Sequence, residues 1–193
     1  VRKTLNKILS FFASPYTNKE DNYIQMRLQV SHITVEFDRM LRERAKNNQL
    51  HIEVREAAEK DIDSLIGLHD CAWSVTPMPY RPMTRDSIIE KIKDPAIIFL
   101  IANVNGVDSG FALIYFTGDK MQVGVIAGMG IVPSYQRKGL GTVLGLACWD
   151  YFKKKGVLEL RCKVYKDNIA SYKFIKGLGF EVYNEDFVTW KVI

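Results

Sequence analysis

The sequence predicts an α/β (α+β) domain: a mixed central sheet flanked by helices, preceded by an N-terminal helical arm. Three observations carry this. From residue 51 the apolar periodicity switches between strand-like and helix-like runs in the order β, α, α, three β, α, β, α, β, β. Two tight-turn signals, Asn105-Gly106 and Gly118-Asp119, join the three consecutive strands as a meander. A basic segment with two glycines, "QRKGLGT" at 136–142, opens a helix after an apolar strand-like run, so the next strand returns by a crossover and the sheet is mixed.

The elements follow in order. Leu5, Ile8, Leu9 and Phe12 share one face of a short helix. Lys7 and Ser10 interrupt its apolar stretch, so it reads as an amphipathic helix and not as a signal peptide. Over residues 20–46, Tyr23, Met26, Val30, Ile33, Phe37 and Met40 recur at spacings of three and four. That is the a/d seam of a helix. It can meet a second copy in a homodimer or lie against its own domain. The polar run Lys46–Gln49 ends the arm, which makes 1–50 the arm and 51–193 the main domain. There, "HIEVREA" reads as a strand. "EKDIDSLIGLHDCAWS" reads as a helix with Ile62, Leu65, Ile66 and His69 on one side. The loop "VTPMPYRPM" holds three prolines, and "TRDSIIEKIKD" is a helix capped by Thr84. Then come the strands "AIIFLIANVNG", "VDSGFALIYFTGDK" and "MQVGVIAGMGIV", and a helix running to Lys155. Strand "VLELRCKVYK", helix "NIASYKFIKGLG" and terminal strands in "FEVYNEDFVTWKVI" complete the chain.

Composition removes several classes of function. Hydrophobic residues make up 47% and charged residues 25% of the chain, which is enough for a core without disulfides. Cys71, Cys148 and Cys162 are odd in number and form no C-x-x-C pair, so a reducing, cytoplasmic setting and no metal site are expected. No apolar run approaches the roughly 20 residues of a membrane span. The net charge is +5, but residues 1–50 carry +4 of it and the main domain only +1. A nucleic-acid surface needs a denser basic patch with interleaved aromatics, so nucleic acid is not an expected partner.

The glycine-bearing helix start is the most informative stretch. A helix N-terminus presents unpaired N–H groups and about half a positive charge. Gly139 and Gly141 let the backbone approach a ligand, and Arg137 and Lys138 add charge at the same point. Together they make an anion site. Neither the G-x-G-x-x-G spacing nor a G-x-x-x-x-G-K-[ST] loop is present.

"IVPSYQRKGLGT" resembles the acyl-CoA signature of the GNAT N-acetyltransferase superfamily, Q/R-x-x-G-x-G/A after a strand and V-x-P. "DNIASYKFIKGLGF" resembles that superfamily's second motif, an asparagine opening a helix that ends in G-F. The motifs stand in the right order with one strand between them, and the resemblance covers residues 51–193. It implies acetyl-CoA as co-substrate. The diphosphate is then held by backbone N–H groups from Gln136, Arg137, Lys138, Gly139, Leu140, Gly141 and Thr142, and the pantetheine pairs like an added strand with Met129, Gly130 and Ile131. Asn168 corresponds to the helix-opening asparagine. The small residues Gly124, Ala127, Gly128 and Gly130 suit a bulge in the central strand.

Two departures bear on mechanism. The tyrosine that many members place five residues before the end of the G-F pair, as acid for the leaving thiolate, is Ile175 here, and Tyr172 one turn earlier is the remaining candidate. The glutamate base that ribosomal-protein acetyltransferases place five residues before the asparagine is Lys163. The expected reaction is direct attack of a neutral primary amine on the thioester, which depends mainly on proximity and a donor for the oxyanion. Water, Asp70 or Glu181 can take the proton. Trp73, Met78, Tyr80 and Arg81 in the first loop, and Tyr183 from the other side, are placed to meet the acceptor, and Lys163 raises the option of an acceptor with a carboxylate. The acceptor is open: a small amine or amino-acid-like metabolite, or a protein lysine or N-terminus. The alternative is a non-catalytic acyl-CoA-binding domain that regulates a partner through the arm.

Overall fold

The computed structural model describes residues 22–47 and 50–183. Among these residues, seven strands form one sheet: β1 (Tyr23–Gln29), β2 (Ile52–Glu56), β3 (Ile97–Val104), β4 (Val107–Thr117), β5 (Val123–Ile131), β6 (Glu159–Tyr165) and β7 (Glu181–Val182), in the order β2-β3-β4-β5-β6-β1-β7. Strands β2 to β5 are an antiparallel meander, β5 and β6 are parallel, and β1 runs antiparallel to both β6 and β7. The helices are α1 (Val35–Lys46), α2 (Ile62–Trp73), α3 (Arg85–Ile92), α4 (Leu140–Lys154) and α5 (Ile169–Gly177). From residue 52 to 182 this is the element order the sequence predicts.

The reasons are local. In β3 nearly every side chain is buried, as in a strand covered on both faces. Asn105 (φ 50°) and Gly106 (φ 86°) are both left-handed, the geometry of the two-residue hairpin turn that their identities predict. One core lies between the sheet and α2 and α3, around Leu65, Ile88, Ile101 and Phe111. The other lies between the sheet and α1, α4 and α5, around Met26, Leu140, Leu144 and Phe152. Two glycines set packing distances: a Cβ on Gly124 would stand 2.5 Å from the Phe152 ring, and one on Gly145 would stand 3.0 Å from Leu178.

The continuous helix expected over 20–46 is not formed. Residues 23–29 are β1, paired with β6 along its whole length from Tyr23↔Tyr165 to Gln29↔Glu159, and only Val35–Lys46 is helical. The segment satisfies two periods at once. Ile24, Met26 and Leu28 alternate with Tyr23, Gln25, Arg27 and Gln29, and this period of two wins because β6 offers an edge of N–H and C=O groups that must be paired. Met26 and Leu28 are thereby buried in the α4-side core. The chain turns at Val30–His32, and Thr34 caps α1, its Oγ1 accepting from the Phe37 N–H at 3.1 Å. Arg42 fastens α1 to α4 by donating to both oxygens of Asp150, at 3.1 and 2.6 Å. Of the seam, Ile33 and Phe37 pack on the core of their own domain, whereas Met40 faces outward, 48% exposed. The short helix expected around Leu5–Phe12 and the strand signal after Tyr183 lie outside the described residues.

Candidate active site

The site is built on the edge that β5 leaves open. β5 pairs with β4 from Val123 to Ile131, but with β6 only from Val123 to Ile126. At Ala127 the register slips: Leu113 and Ile114 of β4 are adjacent, yet face Gly128 and Ile126. Such a bulge bends the strand. Past Ile126↔Cys162 a wedge opens between residues 127–131 and 163–165. Strand parity decides which backbone groups face it. The Val132 N–H donates to the Ser109 carbonyl of β4 at 3.0 Å, so Met129 and Ile131 turn their N–H and C=O the other way, into the wedge, and Gly130 turns toward β4. Gly130 serves packing: a Cβ there would meet Phe111 at 2.7 Å and Ala72 at 2.8 Å, so its bareness lets α2 lie against β5.

The turn after β5 is held by Gln136, whose Nε2 donates to the Ile131 carbonyl at 3.0 Å. The side chain of this sequence-predicted residue is therefore a brace between strand and turn. Arg137 (φ 59°) and Gly139 (φ 86°) are both left-handed. Glycine adopts this without cost, whereas for arginine it costs on the order of 1–3 kcal/mol. Helix α4 begins at Leu140 with no side-chain cap. The N–H groups of Thr142 and Val143 donate to the Gly139 carbonyl at 3.0 and 3.2 Å. Among the described residues, the N–H groups of Arg137, Lys138, Gly139, Leu140 and Gly141 donate to no backbone carbonyl. Five free donors, the positive end of α4 and two exposed cationic side chains thus converge at the mouth of the wedge. Leu140 contributes backbone only, since its side chain is fully buried. Gly141 lies against Phe174 of α5, 3.2 Å from where a Cβ would be.

Asn168 stands where β6 gives way to α5. It is buried, and its Oδ1 accepts from the Ser171 N–H at 3.0 Å, which makes it the N-cap. Tyr172 is half-buried one turn further on and packs on the α4-side core. Ile175 is buried in that same core.

The opposite face of the sheet brings the predicted acceptor residues into two groups. In the first, Trp73 stacks on buried His69 at 4.4 Å, and both rings lie near Phe111. Tyr80 is exposed and donates to Asp70 Oδ1 at 2.7 Å, and His69 Nδ1 lies 3.3 Å from the same oxygen. Burial lowers the His69 pKa, with the Asp70 carboxylate opposing. In the second group Tyr183 is buried beneath two guanidiniums, with Arg27 5.2 Å and Arg161 5.4 Å from its ring centre. Beside them the Tyr115 hydroxyl is pushed up to about 12 by burial and by Tyr183, with Arg161 opposing. Lys163 is exposed on β6 just past the last β5–β6 pair. Sequence reasoning missed Arg27, Arg161 and Tyr115. The alternation in "ELRCKVY" and "YIQMRLQ" is the signal that places both arginines on the face of adjacent strands away from α4.

A sequence model of the acetyltransferase (GNAT) family matches residues 62–180, the stretch that contains α2, strands β3 to β6, the wedge and both helix starts. The chain belongs to the GNAT acetyltransferase family. It is similar to the spermidine N(1)-acetyltransferase of Thermoplasma acidophilum, 24% identical over 71% of this chain and 92% of that protein. A shorter stretch is 39% identical to the mycothiol acetyltransferase of Renibacterium salmoninarum, but this covers 33% of the chain and only 19% of that protein. Among solved structures, the PaiA N-acetyltransferase of T. acidophilum in complex with coenzyme A shares the fold at a TM-score of 0.63, with 23% identity over 70% of this chain and 93% of that one. Aminoglycoside N-acetyltransferase AAC(6')-Iy in complex with coenzyme A shares it at 0.59, with 21% identity over 76% and 99%. The family match begins at Ile62, so β1 and its Arg27 lie outside it.

Proposed function

We propose that this GNAT acetyltransferase moves the acetyl group of acetyl-CoA to a primary amine by direct attack within the wedge. The observation that carries the reading is the continuity of backbone groups that no neighbouring strand pairs, although Gln136 donates to the Ile131 carbonyl. The open edge of β5 at Met129 and Ile131 leads straight into the unpaired N–H run at 137–141. A strand-like amide chain ending in a diphosphate fits that sequence of donors and acceptors. Solved relatives of the same fold hold coenzyme A, which supports the fit.

Bound acetyl-CoA supplies the thioester that the amine attacks. The chain's part is to position and to accept charge. A backbone N–H of β5 aimed into the wedge, at Met129 or Ile131, is the donor for the developing oxyanion. The amine arrives from the side walled by Trp73 and Tyr80. Each pH unit between its pKa and the medium costs about 1.4 kcal/mol in the neutral form. Asp70, held by Tyr80, is the carboxylate of that wall and takes the proton. Tyr172 packs inward and is at most an auxiliary donor to the leaving thiol, a role water also fills.

Free Cys71, Cys148 and Cys162 support a reducing, cytoplasmic setting, and among the described residues no helix is long and apolar enough to cross a membrane. Dimerisation through the N-terminal helix keeps as its support the outward-facing Val35 and Met40 of α1, and light scattering at micromolar concentration measures it. The test of the main reading is thiol release from acetyl-CoA with a panel of amines, beside calorimetry with coenzyme A. We expect binding and amine-dependent release; binding without release for any amine would leave only an acyl-CoA receptor.

A further inference from the structure

We infer that His69 takes the proton from the attacking amine, and that Asp70 receives it through the imidazole. The inference rests on the acetyltransferase reading and names the group that moves the proton there.

The chemistry of the contacts fixes the tautomer of the ring. The Tyr80 hydroxyl and His69 Nδ1 both meet Asp70 Oδ1, at 2.7 and 3.3 Å. An ionised carboxylate only accepts hydrogen bonds, so both partners must donate. Nδ1 of the neutral ring therefore carries the hydrogen, and Nε2 keeps a basic lone pair. The hydrogen bond to Asp70 also raises the pKa of Tyr80, so its hydroxyl stays a donor.

Burial separates the two ends of this pair. The Asp70 side chain is 48% exposed, whereas that of His69 is 4% exposed. Helix α2 thus turns Asp70 outward and His69 toward the sheet, where the ring stacks on Trp73 and lies near Phe111 of β4. Ala72, one turn of about 5.4 Å further on, is buried on the same side. It is also the residue that a Cβ on Gly130 would strike at 2.8 Å. Gly130 sits between Met129 and Ile131, whose N–H groups face the wedge. His69 is therefore the member of the pair that faces the β5 side. Its Nε2 lies across the ring from the Nδ1 that Asp70 holds.

The surroundings keep the ring able to accept. Its ring neighbours are Trp73, Phe111 and Tyr80, and among the described residues Asp70 is the charge that acts on it. Burial lowers its pKa, with Asp70 opposing, so the imidazole is neutral near pH 7.

The step balances. As the amine nitrogen bonds to the acetyl carbon, Nε2 takes a proton from it and Nδ1 passes its own to Asp70 Oδ1. When the C–S bond breaks, the electron pair leaves with sulfur. Asp70 then returns its proton to Nδ1, and Nε2 gives the proton it holds to the thiolate. One proton has moved from nitrogen to sulfur, and His69 and Asp70 are as they began.

The experiment measures kcat and the amine KM by thiol release at saturating acetyl-CoA. The probes are spermidine, glycinamide and Nα-acetyl-lysine amide. Calorimetry with coenzyme A counts the folded sites in each preparation. We expect His69→Gln to lower kcat about a hundredfold, the scale for loss of an acid–base group, with the amine KM within about threefold of wild type. Asp70→Asn should fall similarly. The double variant should lie within about threefold of the slower single one, because the two residues act as a unit. His69→Phe, which retains a ring against Trp73, reads the same kcat if His69→Gln does not accumulate as folded protein. A kcat within about threefold of wild type in the His69 variant would overturn the relay and leave the transferase standing. So would a raised KM at unchanged kcat, or losses that multiply in the double variant. No thiol release from wild type with any of the probes would refute both readings.

Discussion

The exchange of a coiled-coil seam for a strand is open to a direct test at Met26 and Met40. Both occupy seam positions in the helical reading, so that reading assigns them like importance. The structure separates them. Met26 is fully buried in the α4-side core, and Met40 is 48% exposed on the outer face of α1. Met26→Ala removes atoms from a packed site, where such truncations cost about 2–5 kcal/mol. For a chain of this size about 2–4 °C is lost per kcal/mol, so the melting temperature should fall by roughly 4–20 °C. Met40→Ala should stay within about 0.5 kcal/mol. Urea unfolding followed by tryptophan fluorescence, at two protein concentrations tenfold apart, measures both. The expected result is a large loss for Met26→Ala, the same at both concentrations, and a loss for Met40→Ala no greater than that small limit even where α1 meets a second copy. Equal losses that shrink at higher concentration would mean that the seam joins two chains, and the placement of β1 would be wrong.

Other expectations concern the site itself. Gly141→Asp places a carboxylate beside the unpaired N–H run and pushes against Phe174, so coenzyme A affinity should fall at least about tenfold by calorimetry; unchanged affinity in folded protein would remove the cofactor assignment. Asp70→Asn should lower kcat/KM about a hundredfold, within the range for loss of an acid–base group, whereas Tyr172→Phe should cost about tenfold or less. Stopped-flow acetylation separates the two, and a thousandfold loss for Tyr172→Phe would make it the acid. His69 has a pKa lowered below 6.5, first by burial, with Asp70 opposing. The unfolded chain then takes up the proton more readily than the folded one, so stability is full above 6.5 and declines as pH falls through and below that value. Urea midpoints between pH 7.5 and 5 should show this decline in wild type and less of it in His69→Phe.

How much of this was legible in the sequence depends on how far apart the deciding residues lie. The hairpin at Asn105-Gly106 and the helix start at Gly139 are local, and their backbone demands are written in adjacent residues. The identity of 23–29 was not local. Met26, Val30 and Ile33 fit a helix, while Ile24, Met26 and Leu28 fit a strand, and only the unpaired edge of β6 chooses between them. The candidate site divides the same way. The proposed cofactor side, Asn168 apart, lies in one continuous stretch from Met129 to Thr142, so adjacent residues are enough to suggest it. The facing of Arg27 and Arg161 requires knowing the register between distant strands, which no spacing within either strand records.

The place of β1 between β6 and β7 also sets an order of events during synthesis. The strand leaves the ribosome ahead of the other six, yet both of its partners are made near the opposite end of the described chain. Until β6 emerges, Ile24, Met26 and Leu28 have no sheet to enter. Closure must then join Gln29 to Glu159 and Tyr23 to Tyr165 across most of the described chain, the kind of long-range pairing that folds slowly. The waiting strand is a liability that its own composition limits. Gln25, Arg27 and Gln29 interrupt the apolar residues at every second position and keep a nascent edge from pairing with a neighbour's. The same arginine would thus act twice, first as a gatekeeper on an unfinished chain and later in its ion pair with Glu181 of β7.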